Sequence, residues 1–299
     1  MKYERTKELE NFIKDNKLFN NFKSLHEIYT GGSSYNFCVQ TTDAIYLLKI
    51  IRNPERYNRV QLVLKALGIL KELPVNDFAE TEKLLVIPYI HGQRIALRDI
   101  TPKALTQLHE QYKCMQSLDT AAVKVLPQFD VADTVRELDD WLTDEKGLMY
   151  RLINKYFWQK IKKELIVMPA VHTLIHGDMT ANNILIDGDG KPHLLDFDQI
   201  RFGYPTEDFM GLFLQIAGFR GLYGSLNKLK RMLGIADISS MYTPREILYG
   251  VQCFYLRLLL RRTRMRAAKK ENARKTLCLL VCLLGYFRVR ELLSNQTNF

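Results

Sequence analysis

The sequence predicts an α+β fold in two parts, a small antiparallel sheet within residues 1–90 and a larger, mainly helical region from 91 to 299. Short apolar runs broken by turn residues fill the first part. Amphipathic stretches with helical periodicity fill the second, and one hairpin signal interrupts them.

Glu27 to Thr30 and Asn36 to Gln40 read as strands flanking Gly31-Gly32-Ser33-Ser34-Tyr35, and Ala44 to Ile51 reads as a third strand. Pro54 to Leu70 is the first expected helix. Leu84-Leu-Val-Ile-Pro-Tyr-Ile-His-Gly92 is a buried strand running into a turn. Helices are then expected near Lys103 to Met115, Val131 to Leu142 and Tyr150 to Ile166, and again over Asp208 to Ala217, Leu222 to Leu233, Pro244 to Thr263 and Ala267 to Leu293. Between these sets, Ile184-Leu185-Ile186 and His193-Leu194-Leu195 flank Asp187-Gly188-Asp189-Gly190, a turn-forming tetrapeptide that joins two strands as a hairpin.

Composition sets bounds on class. With 299 residues and 47% hydrophobic content, the chain can bury the core of two lobes. No low-complexity linker or internal repeat is visible. The N-terminus, Met-Lys-Tyr-Glu-Arg, lacks the apolar stretch of a signal peptide. The longest apolar run, Leu277 to Phe287, has eleven residues, against the roughly 20 needed to span a bilayer. A cytoplasmic protein is therefore expected. Five cysteines, at 38, 114, 253, 278 and 282, show neither metal spacing nor a disulfide framework. Cys278 and Cys282 are expected in the core. The Asp187-Gly-Asp-Gly turn fails as a calcium loop because Lys191 stands at the third ligand position. His172 and His176 have the spacing of a metal pair, but His176 belongs to a different pattern.

That pattern is His176-Gly-Asp-Met-Thr-Ala-Asn-Asn183, followed thirteen positions later by Asp196 within Leu-Leu-Asp-Phe-Asp. Phosphoryl transfer to an alcohol needs a carboxylate at the hydroxyl and oxygen ligands for the Mg²⁺ that neutralises phosphate charge. The Asp-x-x-x-x-Asn spacing of Asp178 and Asn183 lets one short loop supply both, and the hairpin sets Asn183 at its entrance and Asp196 at its exit. Asn182, next to Asn183, lacks the spacing. An isolated His-Gly-Asp triplet is weak evidence; ordered elements upstream and downstream make it strong. Upstream, the Gly31 to Ser34 loop offers close backbone approach and donors to phosphate oxygens. Lys49 stands charged within the apolar Ile45-Tyr-Leu-Leu-Lys-Ile-Ile51 and needs an anionic partner.

These residues resemble the aminoglycoside phosphotransferase and choline kinase family, distantly related to protein kinases. Gly177, where protein kinases usually carry arginine, favours the small-molecule branch. The resemblance implies a two-lobed protein-kinase-like fold, with a nucleotide-binding lobe at 1–90 and a catalytic, acceptor-binding lobe at 91–299. It implies Mg²⁺ and ATP as cofactors, held between the lobes. Gly31, Gly32, Ser33 and Ser34 would lie over the phosphates and Lys49 on the α/β oxygens. Backbone groups at Pro88, Tyr89 and Ile90 would meet the adenine edge, with Val86 and Ile87 in its apolar wall. Asn183 and Asp196 would hold the metal, and Asp178 would take the acceptor proton. Asp208, in Tyr-Pro-Thr-Glu-Asp-Phe, matches an aspartate that braces the catalytic loop in relatives. Asp198 is placed to join the metal shell through water, or to face an acceptor or the basic surface. One departure stands out: the glutamate that normally holds the lysine falls near Gln61, and the segment's only carboxylate is Glu55.

The acceptor is less legible. From Arg257 to Phe299 there are eleven Lys or Arg against Glu271 and Glu291, so the basicity is local. Arg257, Arg261, Arg262, Arg264, Lys269, Lys270, Arg274 and Lys275 can form either a cationic surface, for an anionic substrate or membrane, or a solvated helix face. Nucleic acid is disfavoured, since no binding-module signature or aromatic interleaving is present. Conversely, Glu137-Leu-Asp-Asp-Trp-Leu-Thr-Asp-Glu145 surrounds Trp141 with carboxylates, which suits either a cationic acceptor or a helix end with one buried Trp. The leading expectation is a kinase of a small-molecule hydroxyl on a sugar, aminoglycoside or amino alcohol. A kinase of a lipid-linked or lipopolysaccharide sugar, peripheral to the inner membrane surface, is the alternative. A nucleotide-binding pseudokinase acting as an interaction module is the third, motivated by Gln61.

Overall fold

A computed structural model describes residues 2–28, 35–117, 131–144, 148–166, 173–219, 224–263 and 271–296. The chain divides into two compact units, Met1–Gly92 with Gln111–Val125, and Gln93–Glu110 with Leu126–Phe299.

The first unit begins with helix α1 (Lys2–Asp15), then strands β1 (Phe22–Ile28), β2 (Tyr35–Thr41) and β3 (Ile45–Ile51), helix α2 (Pro54–Ala66), β4 (Asp77–Ala79) and β5 (Glu82–Pro88). The strands form one antiparallel sheet in the order β1-β2-β3-β5-β4. Register determines what each face carries, because successive strand side chains alternate between faces. Phe37, Val39, Leu48, Ile50, Leu84 and Val86 pack against Leu9 and Ile13 of α1 and against Leu18 and Phe19 in one dry core. Lys49 pairs across the ladder with Asn36 and Leu85, and Leu47 with Cys38 and Ile87, so these residues share the opposite face. Asn53 caps α2 by accepting from the Arg56 N–H at 2.8 Å, ahead of Pro54 in the first turn.

Helix α1 was not expected from sequence. Its outer face is strongly charged, and among its described side chains only Leu9 and Ile13 are fully buried. An ionic clamp fastens it to the sheet. Arg5 on α1 and Arg52 after β3 both donate to Glu82 at the start of β5. Their guanidinium groups also lie 4.2 and 5.0 Å from the Tyr35 ring centroid. Burial disfavours the Glu82 carboxylate, but these hydrogen bonds outweigh that and hold its pKa below the ordinary value.

The second unit opens near β6 (Gly92–Arg94) and takes in α3 (Pro102–Gln116) as far as Glu110, the rest of that helix belonging to the first unit, then α4 (Val131–Asp144), α5 (Leu148–Ile153) and α6 (Gln159–Lys163). Short strands β7 (Leu174–Ile175), β8 (Ile184–Asp187), β9 (Pro192–Leu194) and β10 (Arg201–Phe202) follow, then α7 (Pro205–Ile216), α8 (Leu226–Ile235), α9 (Ile238–Met241), α10 (Pro244–Thr263) and α11 (Glu271–Gln296). β8 and β9 form the expected hairpin, pairing Ile184 with Leu194 and Leu185 with His193. The Asp187 carboxylate closes its turn by accepting from the N–H groups of Asp189 and Lys191. α7 is buried from Thr206 to Leu214 and packs on α10. Gly250 permits this approach: a Cβ there would sit 2.4 Å from the Thr206 carbonyl oxygen.

The helix expected over Tyr150 to Ile166 is interrupted. Asn154–Trp158 forms a π-helical turn between α5 and α6, and Trp158 donates from its indole N–H to Asp139 at 2.6 Å. Lys162 pairs with the other Asp139 oxygen. Trp141 is half-buried and lines a small apolar cavity with Leu138, Leu142, Ile153, Trp158, Leu259 and Leu283. Within the acidic stretch, Asp139 is therefore engaged within the fold and Trp141 is packed; Glu145 lies outside the described residues. Cys282 is buried as expected; the Cys278 side chain and His172 lie outside the described residues. Among the described residues, no helix is long and apolar enough to cross a membrane.

Candidate active site

The His176-Gly-Asp segment leaves β7, which pairs with β10 through Ile175 and Arg201. His176 is fully buried. Its Nε2 donates to the Leu195 carbonyl at 2.7 Å, and its Nδ1 accepts from the Asp178 N–H at 3.3 Å. Only the neutral ring with its proton on Nε2 satisfies both partners. Gly177 has φ +79°, and a Cβ there would lie 2.0 Å from the Gln199 carbonyl oxygen, so the position requires glycine on both counts. The Gly177 N–H donates to Asp208 Oδ2 at 3.1 Å, and its carbonyl accepts from Arg257 Nη1 at 2.7 Å. The Asp208 carboxylate also accepts a longer bond, 3.5 Å, from the Met179 N–H. Asp208 thus braces the loop, the role its sequence position implied.

Asp178 is half-buried. Asn183 reaches back to it, its Nδ2 donating to the Asp178 carbonyl at 2.9 Å and to Asp178 Oδ2 at 3.0 Å. Both partners are acceptors, so the amide nitrogen is identified by its contacts and Asn183 Oδ1 is the oxygen directed elsewhere. Between them, Ala181 donates its N–H to Gln215 Oε1 at 3.0 Å. The Leu195 N–H donates to the Asn183 carbonyl at 2.8 Å, bringing Asn183 beside the end of the hairpin, one residue from Asp196. Asp196 is exposed and adopts the left-handed conformation, φ 60° and ψ 65°. A non-glycine residue there stores about 1–3 kcal/mol of strain, and aspartate is among the side chains that tolerate it best. Asp198, by contrast, is buried. The loop therefore brings together Asp178, Asn183 and Leu195, the residue next to Asp196.

In the first unit, Lys49 is half-buried on the sheet face opposite α1. Gln61 donates to the Tyr57 hydroxyl at 3.1 Å, and Glu55 is exposed in the first turn of α2. Gly31 to Ser34 lie outside the described residues. Two expectations need correction. Val86 faces the α1 core and cannot line an adenine wall; Leu85 and Ile87, on the Lys49 face, can. The Tyr89 N–H is bonded to the Ile45 carbonyl at 3.0 Å, and Pro88 has no N–H. Of the backbone groups expected at the adenine edge, the Tyr89 N–H is thus committed to β3, and Pro88 can offer only its carbonyl.

Sequence reading missed the contacts of Gln215 and Arg257 with the loop. Its basic neighbours left Arg257 open between a cationic surface and a solvated helix face. The signal was present: Arg257 interrupts the apolar Phe254-Tyr-Leu and Leu258-Leu-Leu, just as Lys49 interrupts its strand.

Residues 24–225 match the phosphotransferase enzyme family, which is more than half of the chain. The chain belongs to this family. Similar solved structures include an aminoglycoside phosphotransferase APH(4)-Ia variant in ternary complex with AMP-PNP and hygromycin B, at 15% identity and TM-score 0.63, covering 93% of this chain and 97% of that one. The choline kinase LicA from Streptococcus pneumoniae aligns at 15% identity and TM-score 0.58, over 94% and 98% of the two chains. Ethanolamine kinase from Plasmodium vivax aligns at 16% identity and TM-score 0.57, over 92% and 87%. Comparison with curated protein sequences finds no match. The fold is thus the two-lobed protein-kinase-like one, with a small antiparallel-sheet lobe and a larger, mainly helical lobe, and the protein is a phosphotransferase.

Proposed function

We propose that this phosphotransferase moves the γ-phosphate of ATP, as its Mg²⁺ complex, to a hydroxyl of a small molecule such as a sugar, an aminoglycoside or an amino alcohol. The observation that carries the reading is the Asp178–Asn183 pair, in which one amide nitrogen holds the carbonyl and a carboxylate oxygen of Asp178 in a fixed relation. Asp178 orients the acceptor hydroxyl and accepts its proton. The neutral His176, bonded to the Asp178 N–H, keeps that segment of backbone in place.

The residues fit magnesium. Mg²⁺ takes hard oxygen ligands and is commonly held by one or two protein groups together with substrate phosphates. Asn183 Oδ1, turned away from Asp178, and the exposed carboxylate of Asp196 supply two such oxygens. When bound, the ion would neutralise phosphate charge. Lys49 would take the α/β oxygens, with Leu47, Leu85 and Ile87 offering apolar surface to the base and Ile90 an edge donor. Gly31 to Ser34 would cover the phosphates. Names of similar structures support the acceptor class: a choline kinase, an ethanolamine kinase and an aminoglycoside phosphotransferase bound to hygromycin B.

The test is transfer of label from γ-labelled ATP and Mg²⁺ to pooled aminoglycosides, amino alcohols, free sugars and lipopolysaccharide core fragments. One pool should acquire label. Asp178→Asn should lower turnover by roughly 10²–10⁴-fold while nucleotide affinity is kept; near-normal turnover would sink the base assignment. Label in the lipopolysaccharide fragments would move the acceptor to a membrane-linked sugar.

A further inference from the structure

The family pattern accounts for Asp208 but not for the other two side chains that grip the catalytic loop. We propose that Arg257 on α10 and Gln215 on α7 are positioning residues that set the direction of the Asp178 side chain; this rests on the proposed role of Asp178 as the group that meets the acceptor.

The direction of a residue's Cα–Cβ bond is fixed when the two peptide groups flanking its Cα cannot rotate, and for Asp178 the Asn183 bond to Oδ2 then holds the rotamer. The peptide between Gly177 and Asp178 is held on both edges, its carbonyl by Arg257 at 2.7 Å and its N–H by His176 Nδ1 at 3.3 Å. The peptide between Asp178 and Met179 has its carbonyl held by Asn183 at 2.9 Å, while its N–H makes a long bond, 3.5 Å, to Asp208. Arg257 therefore makes the shortest of these four contacts, and it is charge-assisted, the stronger kind of hydrogen bond. Gln215 acts further along. It holds the Ala181 N–H at 3.0 Å, midway between Asp178 and Asn183, so the loop cannot open and separate them. Gly177 itself has no side chain to resist rotation and sits at positive φ, which makes an external brace on its carbonyl more consequential than at an ordinary residue.

Both residues act through the backbone and need not touch substrate. Their loss should therefore alter geometry at the chemical step, where misplacement of about 1 Å costs on the order of a hundredfold. The effect should fall on kcat, with KM for ATP held within about twofold, because a transition-state contact is lost without loss of ground-state binding.

The experiment measures amide hydrogen exchange over peptides spanning 173–183, together with kcat and KM for ATP, in full-length wild type, Arg257→Met, Arg257→Lys, Gln215→Leu and Gln215→Glu. Arg257→Met should raise exchange in the loop about tenfold or more, and Gln215→Leu should raise it at Ala181. Arg257→Lys, which keeps a cationic donor, and Gln215→Glu, which keeps an acceptor, should restore most protection and most of kcat. If Arg257→Met does not fold, Arg257→Lys and Gln215→Leu carry the test. Unchanged loop exchange in folded Arg257→Met, or a change confined to KM for ATP, would overturn the proposal. The exchange readout needs no acceptor, so a wild-type protein that transfers no phosphate would refute the proposed function while leaving the brace to be decided by its own measurement.

Discussion

The sheet of the first unit and the catalytic loop of the second hold their chemical groups by different means. Lys49 is placed by its strand: successive residues alternate between the dry α1 face and the opposite face, and the register assigns it to the latter. Asp178 is placed by side chains remote in sequence: Asp208 at 31 positions from Gly177, Gln215 at 34 from Ala181, and Arg257 at 80 from Gly177. Periodic backbone can position a residue with no help from its neighbours' chemistry. An irregular loop must have its peptide groups satisfied one at a time.

This difference can be broken at single residues. The largest effect is expected where the loop has no room. Gly177→Ala puts a Cβ 2.0 Å from a backbone oxygen at positive φ, and should cost more than about 3 kcal/mol or prevent folding. Gly68→Ala, at φ +67° with nothing within 4 Å, should cost only about 1 kcal/mol. Chemical denaturation compares them, and equal costs would show that the loop yields easily. Next are two adjacent residues on opposite sheet faces. Leu48→Ala should lose about 2–5 kcal/mol of stability with nucleotide affinity kept, whereas Lys49→Met should keep its melting temperature and lose about 10–100-fold in kcat/KM for ATP. A shared phenotype would mean that the faces are not independent.

A smaller effect tests the clamp on α1. Glu82→Gln should destabilise by about 1–2 kcal/mol at neutral pH. Because the Glu82 pKa is held below its ordinary 4.5, the carboxylate's contribution is present above that value. It is lost as pH falls through the lowered folded pKa. The gap between wild type and Glu82→Gln should therefore close on acidification below the ordinary value; a constant gap would show that the charge contributes nothing. The mildest test is chemical. Cys38 shares the Lys49 face and is half-buried, while Cys114 is exposed on α3. Mg²⁺ and ATP should slow alkylation of Cys38, followed by peptide mass spectrometry, and leave Cys114 unchanged. Equal rates at Cys38 with and without nucleotide would place the base on another surface.

The same contrast explains what was legible in the sequence. The hairpin was readable because Asp187-Gly-Asp-Gly demands a turn and the Asn183–Asp196 spacing follows from it. α10 was found with its bounds, since Pro244 starts it and its apolar length sustains it. The wall of the proposed nucleotide face was misassigned at Val86 because Leu84 to Ile87 are all apolar, and a strand buried on both faces carries no alternation to separate them. The Tyr89 N–H depended on a partner, Ile45, that only the folded ladder supplies. The brace by Arg257 needed a third dimension: its sequence setting announced a buried partner but could not say which carbonyl.

That brace also bears on how the protein can be dissected. The segment that matches the family spans residues 24–225, yet α10, which carries Arg257, lies wholly beyond it, and α1, which carries Arg5, lies wholly before it. A fragment trimmed to the recognisable stretch would retain every motif residue and sever both the guanidinium on Gly177 and the helix that closes the sheet's dry core. Homology would mark such a fragment as whole; its bonding would not.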